Sequence, residues 1–285
     1  MFSQNKMEKN FPLVSIITPS LNQGLFIEET ILSVLRQDYP NIEYIIIDGG
    51  STDSTLDIIR KYESRIKYWI SEPDKGQTDA IIKGFHLANG EFMTWLCSDD
   101  VLEPSSVSIQ LGFLQHFSNC DLVYGDRTRI DEKGNIIGYS KYPEFRSYLL
   151  KMGFSLPQET VMIRSSLLNK IVGLNQRYNM AMDYDLWCQL EKVTEFCHIP
   201  RYIGRFRSHK SAKSVIFSSQ MISNKFDGVY TQEIITVFRS HYKGFFPQLL
   251  YKNLSRILLL LSFLDRRKSI YKKKVFLARN IAGNS

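Results

Sequence analysis

Between residues 13 and 103, short continuous apolar runs alternate with segments whose apolar residues recur at helical spacing. LVSIITPS, IEYIIIDGGS, IKYWISEP and EFMTWL are rich in β-branched and aromatic side chains and end in turn formers, so they are predicted strands. IEETILSVLRQ, TDSTLDIIRKY and GQTDAIIKGFHLA lie between them and are predicted helices. A strand apolar on both faces must be covered on both faces, and intervening helices provide that cover. The expected class is therefore α/β: a mostly parallel central sheet flanked by helices, with ligands at the carboxyl ends of the strands.

Those ends read TPSLN, DGGSTD, SEPDKG and CSDD. Any one of them is an ordinary turn sequence. Four in succession, all small, polar or acidic, point to a binding edge. The first lacks the G-x-G-x-x-G of a dinucleotide fold, and the chain has no G-x-x-x-x-G-K-[ST], which sets those two nucleotide classes aside. The adjacent carboxylates Asp99 and Asp100 instead suit a hard divalent cation, Mg²⁺ or Mn²⁺, whose shell a phosphate completes. Neighbouring side chains leave an extended segment in opposite directions, so the two have different tasks: Asp100 the metal, Asp99 a ribose hydroxyl.

With 285 residues, 44% of them hydrophobic, the chain can bury a substantial core, expected as one large domain with an appendage. Cys97, Cys120, Cys188 and Cys197 lack C-x-x-C spacing, which argues against zinc and fits a reducing compartment better than a disulfide framework. The first residues show no signal pattern, and no apolar run reaches spanning length, so a cytoplasmic location is expected. The net charge of +7 belongs to the tail. Between His241 and Asn280 ten Lys/Arg face one acid, leaving the remainder slightly acidic.

VSIITPSLNQGLFIEETILSVLRQDYPNIEYIIIDGGSTDSTLDII, SEPDKGQTDAIIKGFHLANGEF, SDDVLEP and MDYDLW together resemble the inverting family 2 glycosyltransferases of the GT-A fold, above all the bacterial enzymes of O-antigen and capsule synthesis. The resemblance runs from about Phe11 to Ser214. It implies a nucleotide-sugar donor, most often UDP-linked, with Thr18, Pro19, Ser20, Asn22, Asp48 and Ser51 around the base and ribose. Asp74, Lys75 and Asp79 fall on the same nucleotide side. It also implies a catalytic domain over 1–214, with a nucleotide half to about 103 and an acceptor half beyond, followed by a basic, Leu-rich helical tail over 215–285. Two departures bear on the donor: the family's D-D-G-S is Asp48-Gly49-Gly50-Ser51 here, and the Asn of D-A-x-N-K-G is Ile82.

Asp183, at the start of a predicted helix, matches the family's catalytic base; without the upstream motifs it would read as an acid favoured by the helix dipole. Asp185, two residues on, reads as structural. In GRFRSHKSAKS, the cations Arg207, His209, Lys210 and Lys213 either fold over the donor diphosphate, with His209 foremost, or belong to a solvated loop. The tail suits either an anionic membrane surface, where a lipid-linked saccharide acceptor would lie, or a helical hairpin packed on the domain. Nucleic acid is not an expected partner. Two rival functions use the same fold. A sugar nucleotidyltransferase would carry a Gly-rich cationic loop after its first strand, which TPSLNQG is not. A non-catalytic nucleotide-sugar binder would not need Asp183.

Overall fold

The computed structural model describes residues 11–212 and 229–242. Its first half follows the alternation in the sequence: β1 (Val14–Ser20), α1 (Ile27–Leu35), β2 (Ile42–Asp48), α2 (Thr55–Lys61), β3 (Tyr68–Ser71), α3 (Gln77–Leu87) and β4 (Phe92–Trp95). These strands pair in parallel in the order β3-β2-β1-β4. The two-residue period of each strand divides its side chains between two cores. Val14 and Ile16 of β1 and Tyr44 and Ile46 of β2 pack with Ile27, Ile31 and Ile59 of α1 and α2. Ile17, Ile45 and Ile47 pack on the other face with Ala80 and Ile81 of α3. Gly84 lets α3 lie close to the sheet, since a Cβ there would come within 2.3 Å of Ile17 Cγ2.

Beyond β4 the sheet becomes mixed. The later elements are β5 (Val101–Leu102), α4 (Ser106–His116), β6 (Cys120–Ile130), β7 (Ile136–Ser140), α5 (Ser147–Lys151), β8 (Met162–Arg164), α6 (Met182–Leu190), β9 (Glu195–Arg207) and α7 (Val229–His241). Among the described residues the sheet order is β3-β2-β1-β4-β8-β6-β9-β5, with β7 also on β6. β8 runs antiparallel to both β4 and β6, whereas β6 and β9 form a long parallel pair. The parallel expectation holds for the half built of strand–helix units; in the second half, among the described residues, only β6 and β7 form a hairpin, and the antiparallel pairs of β8 and β5 join strands far apart in the chain.

One expectation is corrected. Cys120 and Cys197 meet across β6 and β9 as a disulfide, their Cα atoms 6.1 Å apart, because parallel pairing brings buried positions of the two strands together. Helix α7, beyond the expected boundary at 214, packs on the domain before it: Ile234, Ile235, Val237 and Phe238 share a cluster with Leu186 and Trp187 of α6. The remaining tail, with most of its basic residues, lies outside the described residues, as does Lys213. No helix of the described part is long and apolar enough to cross a membrane.

Candidate functional site

The loops after β1 and β2 are tied to each other. Asn22, at φ 52°, donates its backbone N–H to Ser51 Oγ at 2.7 Å and accepts from Thr52 N at 2.9 Å. Asp48 is fully buried and organises its own loop, accepting from Gly50 N, Ser51 N, Ser51 Oγ and Ser71 Oγ at 3.1, 2.8, 2.5 and 2.7 Å. Thr18 is equally buried, with its hydroxyl 3.0 Å from Tyr44 OH. Thr18 and Asp48, expected beside the base and ribose, here brace the strand ends and the loop that follows β2. Pro19 and Ser20 end β1, and Ser20 Oγ has no partner among the described residues.

At β3, Asp74 sits in the space left open by Gly49. A Cβ on residue 49 would lie 2.8 Å from Asp74 Oδ2. The Asp74 carboxylate, steadied by Gly76 N at 2.7 Å from Oδ1, thus lies against the position where the D-D-G-S pattern would carry its second side chain. Lys75 is exposed. Asp79 is engaged by Lys75 N at 3.2 Å, Gln176 Nε2 at 2.9 Å and Lys83 Nζ at 3.5 Å, so its carboxylate ties α3 to neighbouring segments.

The turn after β4 holds the acidic pair. Thr30 of α1 donates to Ser98 O and Asp100 O at 2.9 and 2.7 Å, so a hydroxyl from a helix distant in the chain fixes the turn. Cys97, Asp99 and Asp100 bring their potential ligand atoms within 4.8 Å of one another. Burial, with Asp99 and Glu159 nearby, holds the Asp100 carboxyl well above the usual range. Excess negative charge in a buried place fits a divalent cation, which would relieve it.

Strand β9 ends against this turn. Arg207 N donates to Asp100 Oδ1 at 3.0 Å and His209 Nε2 lies 2.9 Å from Asp99 Oδ2. His209 also packs on Phe26 with ring centroids 4.5 Å apart. The Arg207 guanidinium is buried. It donates to Asp99 O, Asp131 O and Glu132 O at 2.8, 3.1 and 3.3 Å and pairs with Glu29. The expected diphosphate role of Arg207 is corrected accordingly: its donors face the protein. Lys210 is exposed on the same loop.

Asp183 stands in the first turn of α6 and is half-buried. Its Oδ1 accepts from Tyr184 N at 2.7 Å and its Oδ2 from Ser155 Oγ at 3.2 Å. Burial pushes its carboxyl up to about 6, where it is mostly ionised at neutral pH yet still basic enough to accept a proton. Asp185 turns inward to His241 Nε2 at 2.7 Å and Gln189 Nε2 at 2.9 Å. Trp95, just before the acidic turn, stacks on Trp187, one helical turn after Asp183, with centroids 5.7 Å apart and planes 15° from parallel. This stack couples β4 to α6.

Sequence reasoning passed over the buried ion pair of Arg127 and Glu159, in which Arg127 Nε lies 2.5 Å from Glu159 Oε1. The positive charge of Arg127 acts on Asp100 and Asp183 alike, lowering both. It also passed over Gln158, whose amide donates to Trp95 O at 2.5 Å. No local pattern marks these residues; strand pairing alone assembles them.

With this arrangement in view, comparison with known proteins is decisive. The family model for Glycosyl transferase family 2 matches residues 15–170. The chain belongs to this family. It is 31% identical over 218 residues to an uncharacterised glycosyltransferase of Rickettsia felis, covering 72% of this chain and 36% of the relative. To a chondroitin synthase of Escherichia coli it is 32% identical over 196 residues, 67% of this chain and 28% of that enzyme. The chain thus spans about a third or less of the length of these relatives. A crystal structure of residues 1–349 of S. aureus TarS with UDP-GlcNAc aligns at a TM-score of 0.60 and 17% identity, covering 93% of this chain and 79% of that one. That likeness places the α/β sheet of this family 2 member with the GT-A fold.

Proposed function

We propose that this chain carries an inverting glycosyltransferase active site, which moves a sugar from a nucleotide-sugar donor, UDP-linked, to a hydroxyl of a saccharide acceptor. The observation that carries the proposal is the carboxylate of Asp183, raised to about 6 and braced through Trp187 and Trp95 to the strand that presents Asp99 and Asp100. Asp99 and Asp100, with His209 against Asp99, hold the diphosphate side. A divalent cation held there, Mn²⁺ or Mg²⁺, would supply the charge neutralisation that makes the nucleoside diphosphate a competent leaving group. Ser20, Asn22, Ser51, Asp74 and Lys75 rim the nucleotide side.

Asp183 takes the proton of the acceptor hydroxyl as that oxygen attacks the anomeric carbon and the bond to the diphosphate breaks. One displacement inverts the centre. The proton then passes from Asp183 to solvent, and no enzyme nucleophile takes part. Cell-surface polysaccharide synthesis on a lipid-linked acceptor, with the basic tail at the inner membrane face, completes the proposal. Two support it: the chondroitin synthase similarity and the tail's charge.

Asp100→Ala tests the diphosphate side by calorimetry with UDP and Mn²⁺. Metal-dependent affinity is expected to vanish while the melting curve keeps its shape; parental affinity would remove the metal assignment.

A further inference from the structure

Helix α6 carries the proposed base, yet its own sequence does not cap it. The residue before it, Ala181, offers no side-chain acceptor, so the entry to the helix is not held by a side chain at its own cap. The segment leading into α6 is held from α7 instead. The Glu233 carboxylate accepts three successive backbone N–H groups, Asn179 at 3.0 Å through Oε1, and Met180 and Ala181 at 2.8 and 2.9 Å through Oε2. The last of these donors lies two residues before Asp183.

The far end of α7 grips the same helix. His241 Nε2 reaches Asp185 Oδ1 at 2.7 Å, while Lys192 Nζ lies 2.9 Å from His241 Nδ1. With the lysine donating to Nδ1, the proton sits on Nε2 and points at Asp185. Tyr242 OH donates to Glu191 Oε1 at 2.5 Å. Between these ends, Ile234, Val237 and Phe238 are buried in the cluster that contains Leu186 and Trp187. A helix held at both ends and along its side has little freedom to slide or rotate. The carboxylate on its first turn inherits that restriction.

We propose that Glu233 is a positioning residue for Asp183, fixing the backbone that sets where the base stands relative to the acceptor hydroxyl. The proposal rests on Asp183 acting as the base. Proton transfer in an in-line attack demands placement to within a fraction of an ångström, so slack at residues 179–181 lowers turnover without weakening the donor site on the other side of the Trp95–Trp187 stack.

The test uses the full chain with Mn²⁺ and the UDP-sugar turned over fastest among UDP-N-acetylglucosamine, UDP-glucose, UDP-galactose and UDP-glucuronic acid, with water standing in for the acceptor. Glu233→Gln keeps the size and one acceptor oxygen but turns an N–H₂ toward a backbone donor. It is expected to lower kcat on the order of 10-fold at unchanged donor KM. In an Asp183→Asn background the same change is expected to do nothing further, because a positioning residue has nothing left to position. Glu233→Asp, which keeps the charge on a shorter arm, recovers part of the rate. Hydrogen exchange of the free protein, which needs no donor, is expected to speed up across 179–186 in Glu233→Gln and stay parental in β1 and β2. Equal losses in both backgrounds, a parental kcat, or unchanged exchange over 179–186 would each overturn the proposal. Parental turnover in Asp183→Asn alone would instead overturn the reading of the base.

Discussion

The carboxyl of Asp183 makes the sharpest expectations at the scale of single residues. If it must be ionised to accept a proton, kcat falls about tenfold per pH unit below about 6, and a pH profile with saturating donor reads this directly. Asp183→Asn keeps the acceptor for Tyr184 N but cannot take a proton, so turnover drops roughly 10²-fold or more with donor affinity retained. The same raised value has a cost in stability. A carboxyl that holds its proton more tightly folded than unfolded destabilises the protein as pH rises from about 4 through about 6. Asp183→Asn is therefore expected to melt above the parent at pH 8 and level with it at pH 4. A variant no more stable at pH 8 would show that burial does not penalise the carboxylate.

Among elements, the join between β9 and the acidic turn is the most exposed to substitution. Arg207 ties that strand end to the turn after β4, the turn after β6 and helix α1 through Asp99, Asp131, Glu132 and Glu29. Its planar fork reaches acceptors in several directions at once, which a lysine ammonium cannot do. Arg207→Lys leaves buried carbonyls unpaired and is expected to cost about 2 kcal/mol, measured by denaturant unfolding. Because Arg207 N also holds Asp100 Oδ1, Mn²⁺-dependent UDP affinity should fall with it. Unchanged stability would mean that the turn is held by Thr30 and the β5–β9 pairing alone.

The whole molecule turns on where the catalytic unit ends. A chain stopped at 228 loses α7, uncovers the apolar face that Ile234, Val237 and Phe238 cover, and removes the acceptor of three backbone N–H groups. It is expected to melt lower or aggregate. A chain stopped at Lys243 keeps α7 and should melt like the full chain, while losing the clustered Lys/Arg beyond it. If that cluster meets anionic lipid, this shorter chain no longer pellets with anionic liposomes. The full chain pellets less as salt rises, since surface charges are screened within about 10 Å at 0.1 M. Equal pelleting of both chains would remove the membrane role of the tail.

What the sequence determined by itself is whatever recurs locally. The continuous apolar runs and the helical periods from Val14 to Trp95 specify four parallel strands and the helices between them, because each segment's pattern is complete within its own length. The polar strand ends and the adjacent Asp99 and Asp100 were legible for the same reason, and the order of motifs pointed to family 2. Tertiary structure decided the rest, where partners lie far apart in the chain. It turned Asp48 and Thr18 inward, moved Asp74 into the space of Gly49, buried Arg207 among carbonyls, and paired Arg127 with Glu159 beneath the acidic turn. It also set Glu233 at the entry of α6, although a half-buried glutamate on an amphipathic helix has no local mark of its partner. A hydrogen bond or ion pair between distant segments depends on the sheet order that brings them together, and no window of sequence contains that order.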